Sequence, residues 1–254
     1  MKREYADDYG RFATEHWWFR ARRRILQTLL KKISFPSNPA ITEIGTGSGE
    51  NLYTLYPSNA ILTGVEPDAV TAAVARTKGP IPVFVATVEK LPDEIKDASQ
   101  DAICMFDVLE HTQDDRLALD CLARKLKPGA YLILTVPAYM FLWGQQDEVN
   151  LHFRRYTKSN LTAALRDRGF IVERCTYFNT FLFPMIAAVR LFAKILPPKK
   201  TGSGSDFEYS AGPLDAVMYH LFAMERFLLR WINFPFGVSV YAEARWKERQ
   251  NEQL

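Results

Sequence analysis

The stretch Ile41-Thr-Glu-Ile-Gly-Thr-Gly-Ser-Gly-Glu50 constrains this chain more than any other. It joins an apolar strand to a turn holding Gly45, Gly47 and Gly49, and then to Asn51-Leu-Tyr-Thr-Leu-Tyr56, which reads as the start of a helix. A glycine turn lets backbone approach a ligand where any Cβ would clash, and the first N–H groups of a helix have no partner of their own. Strand, tight turn and helix start, in this order, make a seat for a nucleotide-like ligand.

Charge and spacing narrow the ligand. A dinucleotide fingerprint needs a third glycine at position 50, with the pyrophosphate on the helix start. Position 50 is Glu50, whose carboxylate would repel a pyrophosphate but suits a ligand without phosphates. Glu43, at the strand end, is well placed for a cationic amino group. S-adenosylmethionine has the matching character: an adenosine, a sulfonium and an amino acid.

From 36 to 137 short apolar strands end near 44, 65, 86, 106 and 136, separated by helical stretches near 50–56, 67–78 and 113–127. This alternation predicts right-handed βαβ units and a parallel sheet covered on both faces. Ligands on such sheets bind beyond the strands' carboxyl ends, where Gly45 to Gly49, Glu66, Thr87, Val88 and Asp107 all fall. Phe170–Tyr177 and Gly237–Trp246 read as two further strands. A length of 254 residues fits one α/β domain with additions.

In that order and spacing Ile41–Glu50, Ala60–Asp68, Val83–Pro92, Asp101–His111 and Leu126–Pro137 resemble the motifs of class I S-adenosylmethionine-dependent methyltransferases, in the small-molecule branch grouped as types 11 and 12. The resemblance covers roughly residues 12–178. It implies a Rossmann-like, seven-stranded, mostly parallel sheet with one antiparallel edge strand. It also implies S-adenosylmethionine as cofactor, held by Glu43, Gly45, Gly47, Gly49, Glu66, Pro67, Thr87, Val88 and Asp107. Glu66 would accept the ribose hydroxyls, and Thr87 with Val88 would lie at the adenine.

Methyl transfer is a backside displacement, so the acceptor lies in line, and a hydroxyl or ammonium acceptor must lose a proton. Asp107 and His111 follow the fourth strand, facing the sulfonium methyl, and His111 is a candidate base. His152 and Tyr156, from an aromatic segment after the fifth strand, complete the candidate catalytic set; Arg154 and Arg155 beside them offer donors suited to phosphate or sugar hydroxyls. The bland reading of this segment is a helix entry, with Thr157 or Ser159 capping helix 160–168 and Gly169 ending it. The pattern of 152–157 resembles one in methyltransferases that serve glycan or lipid-linked saccharide pathways. Asp107, Glu110 and His111 also resemble the Glu, Glu, His set that holds a divalent ion in certain quinone-pathway O-methyltransferases, with Asp for the first Glu; no metal is assigned.

Four segments follow: 1–35, an arm and lid helix; 36–178, the cofactor-binding core; 179–236, a helical insertion between the last two strands; 237–254, the last strand and tail. Trp17, Trp18 or Phe19 would exclude water from the cofactor, and Arg20 or Arg22–Arg24 would meet an anionic substrate. The insertion holds two apolar helices, 181–196 and 214–231, with Arg190, Lys194, Lys199 and Lys200 as a basic set and a Gly-Ser stretch between them. Its surface must be covered by a homodimer partner, the substrate pocket or a membrane interface.

The net charge of +3 and the missing Asn/Asp-Pro-Pro-aromatic signature argue against nucleic acid, leaving a small-molecule, saccharide-linked or lipid-linked acceptor with a hydroxyl, carboxyl or small amine group. Cys104, Cys121 and Cys175 have no zinc spacing and suit a reducing compartment. Without a secretory signal in the sequence, the expected location is cytoplasmic, with a membrane-peripheral variant. The rivals are a nicotinamide oxidoreductase and a non-catalytic binding protein of the same fold.

Overall fold

The computed structural model describes residues 10, 13–195 and 212–247. Lys199, Lys200, the Gly-Ser stretch and most of the N-terminal arm lie outside them.

Near-continuous apolar runs form the strands β1 (Ala40–Ile44), β2 (Ile61–Glu66), β3 (Val83–Val85), β4 (Gln100–Phe106), β5 (Leu126–Pro137), β6 (Phe170–Phe178) and β7 (Ser239–Trp246). They build one sheet in the order β3-β2-β1-β4-β5-β7-β6. β1 pairs in parallel with β2 on one side and β4 on the other. The winding direction therefore reverses between β1 and β4, and their carboxyl ends open a crevice there. β7 runs antiparallel to both β5 and β6. It lies one place in from the edge, because the connection after β6 returns the chain beside β5 instead of crossing over.

The helices begin where short polar side chains take orphan N–H groups. Asp68 accepts from the Thr71 N–H at 2.8 Å to start α2 (Ala69–Thr77), and Asp114 accepts from Arg116 and Leu117 to start α3 (Asp115–Lys125). After the short α4 (Gln145–Val149), Thr157 and Asn160 cap each other's backbone at the start of α5 (Lys158–Asp167). Gly169, at φ +92°, ends that helix. α1 (Trp17–Leu30) buries Phe19, Arg22, Leu26 and Leu29 along one stripe.

The insertion divides into two unlike helices. α7 (Leu214–Leu229) packs on α1: Trp18 and Phe222 bring ring centroids within 6.2 Å, and the Arg20 guanidinium lies 5.1 Å from the Tyr219 ring. Lys32 also donates to the Arg230 carbonyl. α6 (Phe183–Ile195) buries none of its residues fully. Its first turn rests on an aromatic group in which Tyr139 stacks on Tyr177 at 5.0 Å and Phe183 meets Tyr139, Phe141 and Phe236.

Glu225 of α7 is fully buried, and one carboxylate oxygen accepts the N–H groups of Thr180 (2.6 Å) and Phe181 (2.8 Å), just after β6. Burial, only partly offset by those donors, pushes its pKa up to about 7. A raised folded-state pKa stabilises the fold at low pH, and that contribution is lost as pH rises through about 7. Glu225→Gln keeps an acceptor for both N–H groups and carries no charge. Thermal melts from about pH 5 to about pH 8 should show the variant gaining on wild type as pH rises, and parallel curves would contradict the assignment.

Candidate functional site

The glycine turn forms the floor. Gly45, Gly47 and Gly49 all have positive φ (+70°, +54°, +92°). A Cβ at Gly45 would lie 2.3 Å from Cγ2 of Val108, so the turn packs directly on the segment leaving β4. The Gly47 N–H donates to Glu66 at 2.8 Å, and the second Glu66 oxygen accepts from the Asp68 N–H at 3.1 Å. Burial raises the Glu66 pKa against the pull of these donors. The expected ribose acceptor thus sits at the end of β2, in direct contact with the loop.

No helix follows the turn. Tyr53 bonds back to Gly49 and Leu55 to Asn51, but residues 51–56 form only turns. Pro57 ends the run after six residues, too few to repay helix nucleation.

A narrow cleft lies above the floor, lined by Gly45 to Ser48, Glu50, Asn51 and Phe106. Ala13, Phe19, Arg22 and Arg23 close it from the N-terminal side. Phe19 is the expected lid aromatic that faces the cleft. Trp18 stands edge-on to Phe19 at 4.9 Å and turns to α7, while Trp17 lies against His16. Glu50 is held by Ser48 (2.7 Å), Thr14 (3.1 Å) and Lys78. Burial raises its pKa, but the Lys78 and Ser48 donors outweigh that and keep the carboxylate ionised beside the cleft.

Several expected roles do not survive the geometry. Arg22 does not wait for a substrate: it is buried, with Nη2 2.7 Å from both Asp107 Oδ2 and Thr135 Oγ1, and Thr135 donates to the other Asp107 oxygen at 2.9 Å. Asp107, at φ +58°, is held in place by that pair. Glu43 does not face the ligand seat as a countercharge. It is buried under Tyr56, whose hydroxyl donates to it at 2.5 Å, and burial lifts its pKa to about 8, so the carboxyl is mostly neutral at pH 7. Pro67 and Thr87 are exposed at the ends of β2 and β3, and Val88 is buried behind Thr87.

The 152–156 segment is largely absorbed by internal contacts. Tyr156 is buried and donates to Asp115 at 2.9 Å; burial and that carboxylate raise its pKa, so it supplies no proton acceptor. Arg154 pairs with Asp115 at 3.1 Å and donates to the Thr112 and Gln113 carbonyls. Arg155 clamps both oxygens of Asp147 at 2.8 and 2.9 Å and donates to the Ala138 carbonyl. Asp147, which the sequence reading missed, is fully buried and also accepts from His152 Nδ1 (2.8 Å) and the Gly144 N–H (2.8 Å). Burial alone would raise its pKa, yet the His152 and Arg155 donors hold it down to about 2.

His111 and His152 do come together, with ring centroids 4.5 Å apart at 87°. Burial, with the neighbouring His152, lowers the His111 pKa to about 3. The imidazole is neutral at physiological pH and a weak base.

Removing the Arg22 guanidinium should leave Asp107 without its cation and loosen α1 from the sheet. A fully buried pair costs about 3–5 kcal/mol to break. The Asp107 side chain is 27% exposed, so solvent screening lowers the expectation for Arg22→Met to about 2–3 kcal/mol. Adding Asp107→Asn should recover part of it. Denaturant unfolding of both variants checks this, and a loss below about 0.5 kcal/mol would remove the pair from its tying role.

A family model described as a methyltransferase domain matches residues 15–174. A Mycobacterium tuberculosis protein named "Probable S-adenosylmethionine-dependent methyltransferase" is 29% identical over 170 residues, 65% of this chain and 60% of that protein. The chain matches about three fifths of the length of its curated relatives. Among solved structures, a Haloferax volcanii chain in complex with the Trm112 methyltransferase activator superposes with a TM-score of 0.64 at 17% identity, covering 96% of each chain. The [4+2]-cyclase SpnF superposes with 0.60 at 20% identity, covering 91% of this chain and 82% of its own. These likenesses show the fold, and the family model, which spans more than half of the residues, shows that the chain belongs to the methyltransferase-domain family.

Proposed function

We propose that this protein transfers the methyl group of S-adenosylmethionine to a small, saccharide-linked or lipid-linked acceptor. The observation that carries the reading is the joint made by Glu66 and the Gly47 N–H at the carboxyl ends of β2 and β1, beside a cleft that α1 closes. A ribose seated there takes the Glu66 carboxylate with its two hydroxyls, and the ionised Glu50 beside the cleft favours a cofactor without phosphates. The cofactor supplies an electrophilic methyl on a sulfonium. The chain's residues position it: Gly45 to Gly49 admit its backbone-hugging part, Thr87 and Val88 stand at the adenine side, and Phe19 excludes water.

His111 shapes the acceptor choice. An imidazole with a pKa of about 3 takes a proton from an alcohol poorly. A carboxylate or a free amine, which needs no such help before attack, fits this site better than a hydroxyl. The SpnF likeness keeps a non-methylating use of the fold as the rival reading. Nicotinamide chemistry remains disfavoured by Glu50.

The insertion supports a lipid-linked acceptor. Phe192 is 69% exposed, Ile195 75% and Trp231 82%, and Val189, Met185, Phe227 and Leu228 join them. Each such side chain gains about 1.5–3 kcal/mol when taken out of water. Lys194 and Arg230 are exposed along the same helices, as expected where an apolar face meets anionic headgroups. Arg190 instead lies against Gly144. No helix among the described residues is long and apolar enough to cross a membrane. The reading is of an enzyme that works at a lipid surface through this face, from the cytoplasmic side.

Two outcomes follow. Glu66→Ala should weaken S-adenosylhomocysteine binding at least tenfold by calorimetry, since hydrogen bonds to a charged group contribute about 1.5–3 kcal/mol each; unchanged affinity would sink the cofactor assignment. Wild type should float with anionic liposomes, and a Phe192→Ser, Ile195→Ser variant should not. Wild type that stays down and elutes as a dimer would replace the lipid reading with a homodimer contact through 181–231.

A further inference from the structure

We propose that Glu110, His111 and His152 form a binding site for a divalent transition-metal ion. The one potential ligand atom from each residue lies within 4.8 Å of the other two. Glu110 is fully buried in the short turn Leu109–His111 after β4, and neither carboxylate oxygen has a hydrogen-bond partner. A carboxylate left so in a protein interior is costly unless a proton or a cation neutralises it. Two imidazoles stand beside it, and an ion shared with them supplies the missing partner.

Both histidines are already oriented as metal ligands are. His152 uses Nδ1 on Asp147 at 2.8 Å, which leaves Nε2 as its ligand atom. His111 makes a hydrogen bond to the Asn150 backbone, which raises its pKa and so has the ring N–H donating to the carbonyl. A carboxylate behind one imidazole and a carbonyl behind the other fix the tautomers that coordination requires. Asp147 is itself held by Arg155 and the Gly144 N–H, so this supporting layer is rigid.

Two imidazoles and one carboxylate suit zinc, cobalt or iron in the divalent state, and three protein ligands leave open positions for water or a substrate oxygen. Bond lengths of about 2.0–2.1 Å place tetrahedral ligand atoms roughly 3.3 Å apart, so rotamer adjustments on the order of an ångström complete the site. His111 is half-buried, and the His152 side chain is 8% exposed. This is not the Asp107, Glu110, His111 set, because Arg22 and Thr135 hold the Asp107 carboxylate and His152 comes from a different segment.

Titration of tag-free protein with Co²⁺, followed by visible absorption, should give one site per chain without a thiolate charge-transfer band, and Zn²⁺ should displace the cobalt. His152→Ala and Glu110→Gln should each weaken Co²⁺ binding at least tenfold, with melting curves confirming that they fold. If either variant fails to fold, wild type alone decides: the two imidazole N–H protons, shielded by Asp147 and Asn150, should appear as paramagnetically shifted proton resonances. No Co²⁺ or Zn²⁺ binding up to about millimolar, unchanged affinity in a folded His152→Ala protein, thiolate coordination, or no shifted imidazole protons would each overturn the proposal.

Discussion

The ion pair between Arg22 and Asp107 connects everything that surrounds the cleft. One guanidinium, inserted from α1, reaches the last residue of the β4 exit and the Thr135 hydroxyl of β5. It also lies over the rings of Trp18 and Phe106. Asp107 keeps a left-handed backbone conformation that costs energy for a residue with a Cβ, and the Arg22 and Thr135 contacts offset that cost. Through the same helix the pair places Phe19 and Arg23 on the cleft and Trp18 on α7. Cofactor seat, N-terminal helix and insertion therefore share one polar anchor.

The strands were legible because parallel strands buried on both faces must be apolar throughout, and the Thr157 cap because it precedes apolar periodicity. The glycine turn was legible for a steric reason, since Gly45 must clear Val108. What stayed hidden were polar partners far apart in the chain. No local pattern pairs Glu43 with Tyr56 or selects Asp147 from Gln146-Asp147-Glu148. Arg22 did leave a trace: it falls with Phe19, Leu26 and Leu29 on the buried stripe of α1, and an arginine on an apolar stripe is better read as a buried ion-pair partner than as a substrate contact. The helix expected at 51–56 failed because local propensity could not outweigh Pro57.

The insertion looked uniform in sequence and is not. α7 has a buried face, Phe222, Ala223, Glu225 and Leu229, that belongs to the main core beside Phe178 and α1. α6 touches the body mainly through its first turn and leaves the rest of its length apolar and exposed. Composition cannot separate these cases, because both helices are apolar nearly all round. The difference lies in Glu225, whose contact with the N–H groups of Thr180 and Phe181 fixes where α7 meets the end of β6 and leaves α6 to project from it.

The acids at the far end of β4 and β5 show how the site divides structure from chemistry. Asp107 is matched by Arg22, Asp115 by Arg154 and the Tyr156 hydroxyl, and Asp147 by Arg155 and His152. Each of these pairs locks a loop, and the first two engage Asp107 and Tyr156, which the sequence alone offers as catalytic. Glu110 is the fourth acid, buried like Asp147 but without a donor, with the imidazoles of His111 and His152 as neighbours. Burial, with the neighbouring Asp107 charge, drives its pKa up and disfavours a bare carboxylate there. Arg22, Arg154 and Arg155 are held by those pairs and none donates to Glu110, so a proton or the proposed metal ion is what would balance its carboxylate.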